Sequence, residues 1–346
     1  MSNRKTFLQK AAAVLAGSAA SPVLSRRPAS AADDRYSVLL PVAEKYEAVS
    51  SQSKGYTAGK YVLVIGGISQ GPLHSVEGGH VTSDVVTQKL GADALQNKHI
   101  GTPKLEDVTF NCGLDAPSAL SDWLKAALNK SAAATRDVGV IGLNFDNTEV
   151  DEQQFTQALI TEIGFPACDA SSKDAAFLQV KFAPGTARLI ATNKGKAVPL
   201  GAGFSKTWLP SNFRLTIAGV DCTKISKIEG ITWKGAASSS GGGAPVIGGS
   251  SIAAGGGNLT NLVVTVAESS ANDFLNWQKT AMTKPGTSAT KSGKLDFLTS
   301  NLQSVIASLG LNDLLIFKIT EDKAEGAGTA VKRMKIEMAV GSLGIS

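Results

Sequence analysis

Apolar and polar side chains alternate along several short stretches of this chain. Val108, Phe110 and Cys112 alternate with Asp107, Thr109 and Asn111, and Leu178, Val180 and Phe182 alternate with Gln179 and Lys181. A period of two places every second side chain on one face, so both runs predict half-buried strands. Helical spacing appears at Leu120, Trp123, Leu124, Ala127 and Leu128, after Asp115 as a candidate cap and Pro117 in the first turn. Phe274, Trp277, Ala281 and Met282 repeat that pattern after Asn272. Trp123 and Trp277, at this spacing, read as core anchors. The spacing of Leu298, Leu302, Val305, Ile306 and Leu309 also predicts a helix, whereas Phe155, Ala158, Leu159 and Ile163 leave helix and strand open.

These elements occur twice. Tyr61–Ile68 matches Phe213–Val220, and Val76-Glu77-Gly78 matches Ile228-Glu229-Gly230 at the same separation. Leu105–Phe110 pairs with Leu259–Val264, the Trp123 helix with the Trp277 helix, and Ala176–Phe182 with Arg333–Met338. Five correspondences in one order at a slowly drifting offset predict a tandem duplication. Two strand-rich halves with one helix each predict a mainly β protein of two tandem sandwich or barrel domains, each with a flanking helix. The domains are expected at 58–194 and 211–346, with 195–210, which holds two prolines and several glycines, as the linker.

With 346 residues, 43% hydrophobic and 18% charged, the chain can bury a substantial core. Its net charge of +5 comes from the first 31 residues, where Arg4, Lys5, Lys10, Arg26 and Arg27 stand without an acid. The remainder is balanced, which removes the electrostatic case for nucleic-acid binding. Those first residues read as an export signal: a basic start, an apolar stretch from Ala11 to Leu24, and the small run Ala29-Ser30-Ala31. Arg4-Lys5 before Phe7-Leu8 is similar to a twin-arginine signal with lysine second. The mature protein is expected to begin with an extension at 32–57 and to lie outside the cytoplasm, extracellular or periplasmic, with no transmembrane anchor; a tail retained on a cytoplasmic protein is the alternative.

No catalytic constellation, cofactor or metal is expected. Gly67-Ile-Ser69-Gln-Gly71 has the form of a nucleophile elbow, but Pro72-Leu73-His74 begins no helix. His74, His80 and His99 lack the spacing of a helical metal pair, and Gly241 to Gly257 lacks the lysine ending of a phosphate loop. Cys112, Cys168 and Cys222 cannot all pair within one chain; they read as small hydrophobes, with one oxidised pair left open.

Val76-Glu77-Gly78, the run His99–Gly113, Trp123, Arg136-Asp137 and Pro166-x-x-Asp169 through Phe177 follow one another in a known order. In these features the chain resembles the tail-tube proteins of contractile phages and of extracellular contractile injection systems, over most of residues 58–190. The second half shares the resemblance mainly through the repeat. The resemblance implies a sandwich or barrel whose strands join a ring of six domains, with rings stacked into a hollow tube. A doubled chain would close such a ring with three copies. It also implies that the insert Val81–Pro103 touches the next ring, through Asp84, Gln88, Lys89, Asp93, Asn97 and Lys98 and the apolar Val85, Val86, Leu90 and Leu95. The matching insert, Ala236–Asn258, is almost wholly Gly, Ser and Ala, with Val246, Ile247 and Ile252 as its apolar members. It reads as a flexible linker or a backbone-mediated contact. The implied partners are the chain itself and sheath or baseplate proteins. A baseplate hub or tube-initiating adaptor of a contractile injection system and an exported monomeric binding module are the alternative roles.

Overall fold

The computed structural model describes residues 59–90, 95–129, 134–191, 197–200, 208–239, 252–283, 289–321 and 332–346. In the first unit β1 (Lys60–Ile65), β2 (Ile68–Leu73) and β3 (Ser75–Gly78) lead into a long hairpin of β4 (Val81–Leu90) and β5 (Leu95–Leu105). After them come β6 (Val108–Cys112), helix α1 (Ser118–Leu128), β7 (Thr135–Leu143), β8 (Glu149–Phe165), β9 (Cys168–Asp169), β10 (Leu178–Ala183) and β11 (Thr186–Ala191). The second unit holds β12 (Phe213–Ile217), β13 (Ile225–Ile228), β14 (Ile231–Ser239), β15 (Ile252–Leu259), β16 (Leu262–Ala267) and helix α2 (Asn272–Thr283). It ends with β17 (Lys291–Leu298), β18 (Val305–Glu321), β19 (Arg333–Ala339) and β20 (Ser342–Ile345). The fold is mainly β, as its alternating runs predict, and each unit carries one flanking helix.

Strand order repeats between the units. One sheet runs β1-β7-β8-β10-β6-β3 and the other β12-β17-β18-β19-β16-β13, with β11 on β8 and β20 on β18. The helices repeat as well: the indole of Trp123 donates to the Ala134 carbonyl at 2.7 Å, and that of Trp277 to the Ala289 carbonyl at 2.7 Å. Each tryptophan thereby satisfies its one polar atom while its ring fills the space between helix and sheet. Buried side chains of both units, from Phe110, Phe155 and Phe182 to Phe274, Phe297 and Met338, form one apolar cluster.

One helix reading is corrected and one open reading is resolved as strand. Leu298 ends β17, Leu302 lies in a turn and Val305, Ile306 and Leu309 belong to β18, so no helix forms there. Phe155, Ala158, Leu159 and Ile163 all lie in β8. In β8 the ambiguity comes from a bulge, which β18 repeats; the 298–309 spacing instead runs across the turn between β17 and β18, where Leu302 is left-handed (φ 60°). Gln157 (φ 51°) and Asp313 (φ 54°) are left-handed, so buried Phe155 and Ala158, like buried Leu311 and Leu314, fall three residues apart instead of two. Asp137 accepts the Gln157 amide at 3.1 Å and holds the first bulge in place. Helix α1 also begins differently than expected, with Pro117 at the cap position and no side-chain cap. All three cysteines are free thiols, which closes the possibility of an oxidised pair.

The outer faces of the two sheets differ. Val62 and Ile141, opposite each other in the first, form an apolar patch with Leu143 that Val198 and Leu200 cover. Part of the expected linker is therefore a strap, held by the Val198 amide on the Asn147 carbonyl (3.1 Å) and by the Ser69 hydroxyl on the Pro199 carbonyl (3.0 Å). The matching positions in the second sheet are Arg214 and Asp296. Asp296 is buried, yet it accepts from Ser308 (2.6 Å) and Arg214 (2.7 Å) and pairs with Lys294 (3.0 Å). Burial alone would raise its pKa; the bonds from Ser308, Arg214 and Lys294 together outweigh burial and hold the carboxyl below its ordinary range.

A carboxyl depressed on folding stabilises the fold above its unfolded pKa of about 3.9 and loses that contribution as pH falls through the folded value. Replacing Asp296 by asparagine is expected to cost about 2 kcal/mol at pH 7, moderated because Arg214 and Lys294 are half exposed and can rehydrate. The urea midpoints of the two proteins should differ at pH 7 and converge only as pH falls through the lowered folded-state pKa, below the ordinary carboxylate range; a constant gap would assign the cost to packing.

Candidate assembly interface

The two units meet through backbone pairing. After β13 the chain crosses at Gly230, where an added Cβ would stand 3.1 Å from the Phe165 carbonyl oxygen, and continues as β14 against the end of β8. Ile231 pairs with Phe165, Thr232 with Gly164, Trp233 with Ile163 and Lys234 with Glu162. Beside them β13 pairs with β9, Lys227 opposite Asp169 and Ile228 opposite Cys168. Lys234 and Glu162 form an ion pair at 3.6 Å, α1 packs on β20, and Trp233 is buried against the backbone of Gly235 and Gly257. The first unit thus offers the end of β8, β9 and α1; the second offers β14, β13 and β20.

The shared strand order gives the β8 and β14 edges counterparts that have no partner among the described residues. The β8–β10 pairing of Glu162 with Lys181 and Ile160 with Phe182 recurs as Lys318 with Glu337 and Ile316 with Met338, so the edge of β8 at 162–165 corresponds to that of β18 at 318–321. On the side where β8 receives β14, this stretch of β18 pairs with no described strand. The start of β14 corresponds to the start of β4, because Trp233 opposite Leu259 matches Val81 opposite Leu105. That edge of β4 is likewise unpaired among the described residues.

Leu315 and Phe317 on β18 and Leu275 and Met282 on α2 are exposed in the second unit, and Val81 on β4 and Leu189 on β11 in the first. Val81 stands where the junction has buried Trp233, and Leu189 on β11 stands where α1 covers β20.

The expected inter-ring residues sit on the two hairpins. Asp84, Val85, Val86 and Gln88 on β4, and Asn97 and Lys98 on β5, are exposed. Lys89, Leu90 and Leu95 lie near the tip on the same strands, Ile252 begins β15, and Asp93, Val246 and Ile247 lie outside the described residues. The described parts of both inserts are paired antiparallel strands. The strand edges of the junction escaped sequence reasoning, although the exact repetition of β8 in β18 could have located them.

The other candidates have plain environments. Ser69 belongs to β2, His74 stacks on Phe177 at 3.8 Å, and among the described residues no group of three or more metal-ligating side chains forms. No described helix is long and apolar enough to cross a membrane.

Residues 57–184 match the family model described as T4-like virus tail tube protein gp19. This region is the first unit, less than half of the chain, and its similarity to tail-tube proteins agrees with the order of motifs in the sequence. No curated protein matches the chain. Among solved structures, the chain is similar to one in the sheath–tube complex of the PVC extracellular contractile injection system in its extended state, at 19% identity over 41% of this chain and 95% of that one, TM-score 0.35. A chain in the cap of the anti-feeding prophage is 16% identical over 44% of this chain and all of the other, TM-score 0.36. Hcp1 from Flavobacterium johnsoniae is 13% identical over 39% and 94%, TM-score 0.28.

Proposed function

We propose that this protein is a non-enzymatic structural subunit, a tandem duplication of a tail-tube domain, whose copies join head to tail into rings that stack as a hollow tube. The observation that carries the reading is the β14–β8 junction together with its unpaired counterparts on β4 and β18. One unit's open edge fits the next unit's open strand, a heterologous contact that closes into a ring when the rotation allows. Six domains, the number implied by the tail-tube resemblance, correspond to three copies. The domains are 58–194 and 211–346, joined by 195–210. The basic start, apolar stretch and Ala29-Ser30-Ala31 support export through a twin-arginine route, testable by mass spectrometry of the mature N-terminus.

Assembly is tested by light scattering and negative-stain microscopy of protein beginning at Ala32 over a concentration series. Rings that stack are expected; single rings that never stack would favour the adaptor role, and a monomer at every concentration would overturn the reading. Val81→Asp and Phe317→Asp alter exposed side chains, so each should keep its melting temperature within a few degrees while losing rings altogether. Rings from either variant at wild-type concentrations would remove these edges from the contact.

A further inference from the structure

The second unit has an edge that the first unit closes. In the first, β2 lies along β1, pairing Tyr61 with Leu73 and Leu63 with Gly71. In the second, residues 220–225 form a turn instead: Asp221 accepts from the Thr223 amide (2.9 Å) and hydroxyl (2.7 Å), and the Ile225 amide reaches the Cys222 carbonyl at 3.3 Å. Among the described residues, the side of β12 away from β17 keeps only the Val220 amide on the Ile217 carbonyl. A groove of about 440 Å3 runs there between Phe213, Leu215 and Thr216 on one wall and Val220, Cys222 and Ile225 on the other.

The first unit carries a matching excess. Its β4–β5 hairpin forms a two-stranded sheet of its own, with Val85 and Ile100 opposite each other at 66% and 76% exposure. An isolated two-stranded hairpin is marginal in water, and an uncovered edge templates further pairing. Lys98 on β5 is a cation, while Asp221 and Asp273, linked through the Asp221 amide at 3.0 Å, place carboxylates at the rim of the groove. The second hairpin is a poorer donor, since Trp233 folds onto its own glycines and the start of β14 is already paired.

We propose that the open edge of β12 and its groove receive the free edge of β5 from a second copy of this chain. The inference rests on the self-assembly reading and supplies its axial contact. Among the described residues each chain has one such donor and one such acceptor, so the contact repeats without closing and adds one ring to the next.

Cys222 reports occupancy of the groove. It is half-buried and lines the groove, whereas Cys112 and Cys168 are fully buried. Burial pushes its thiol up to about 11, which slows labelling enough to follow it. Maleimide labelling of Cys222 in stacked rings is expected to be at least about tenfold slower than in the dilute chain. Ile100→Asp, and a chain with residues 84–101 replaced by a short Asn-Gly turn, should form single rings whose Cys222 labels at the dilute rate. Stacks with freely labelled Cys222, or stacks from both variants, would overturn the β12 contact and leave the rings standing. Monomer with reactive Cys222 at every concentration would overturn both.

Discussion

Trp123→Ala is expected to remove about 4 kcal/mol of stability, a large share of what a domain of this size possesses. The indole is fully buried, meets the Phe182 ring at 5.6 Å between centroids, and donates to the Ala134 carbonyl. Truncation leaves a cavity at the centre of the first unit and a buried carbonyl without that donor, and both costs fall on one transition. Trp123→Phe separates them: it keeps most of the packing and should cost about 1–2 kcal/mol, chiefly the hydrogen bond. Urea unfolding monitored by circular dichroism would show a lowered midpoint for both variants. Equal losses would mean that the bond, not the ring volume, dominates.

Gly78→Ala should be nearly as damaging, although it adds a single methyl group. Gly78 has φ +87°, and an added Cβ would fall onto the backbone carbonyl oxygen of Asp107, which no side-chain rotation can move. Backbone strain and overpacking together imply a loss of about 3 kcal/mol. Gly66→Ala is the control. Gly66 is also left-handed, at φ +57°, but has nothing within 4 Å of the added atom, so it should cost only about 1 kcal/mol. A similar loss at both positions would show that conformation rather than the Asp107 contact governs the site.

Local rules were enough for β6, β10 and the two tryptophan helices, where one period runs without interruption through each element. They left β8 open because a left-handed residue inside a strand changes the spacing of buried positions from two to three, a helix's signature, and they misread 298–309 because the β17–β18 turn interrupts the strand period. Gln157 in the β8 bulge and Leu302 in that turn are left-handed without being glycines, so their side chains gave no warning. The repeat is read from matched strand ends, and the two sheets share one strand order. The junction lay beyond it, because strand-edge pairing is made by backbone groups that every residue shares. Glu162 and Lys234 carry a trace of it as opposite charges, but they are distant in sequence and become neighbours only when β14 reaches β8.

The strap at Val198 and Leu200 ties the connecting segment to the first sheet, so the path between the units is short and partly immobilised. A tether of that kind holds its two ends at an effective concentration in the millimolar range, well above that of most proteins in solution. Half of the junctions in a closed ring would therefore form during folding, independent of how much protein is present. In the proposed ring of three copies, formation would be an encounter among three preassembled pairs instead of six separate domains, and its equilibrium dependence on concentration would fall from sixth order to third.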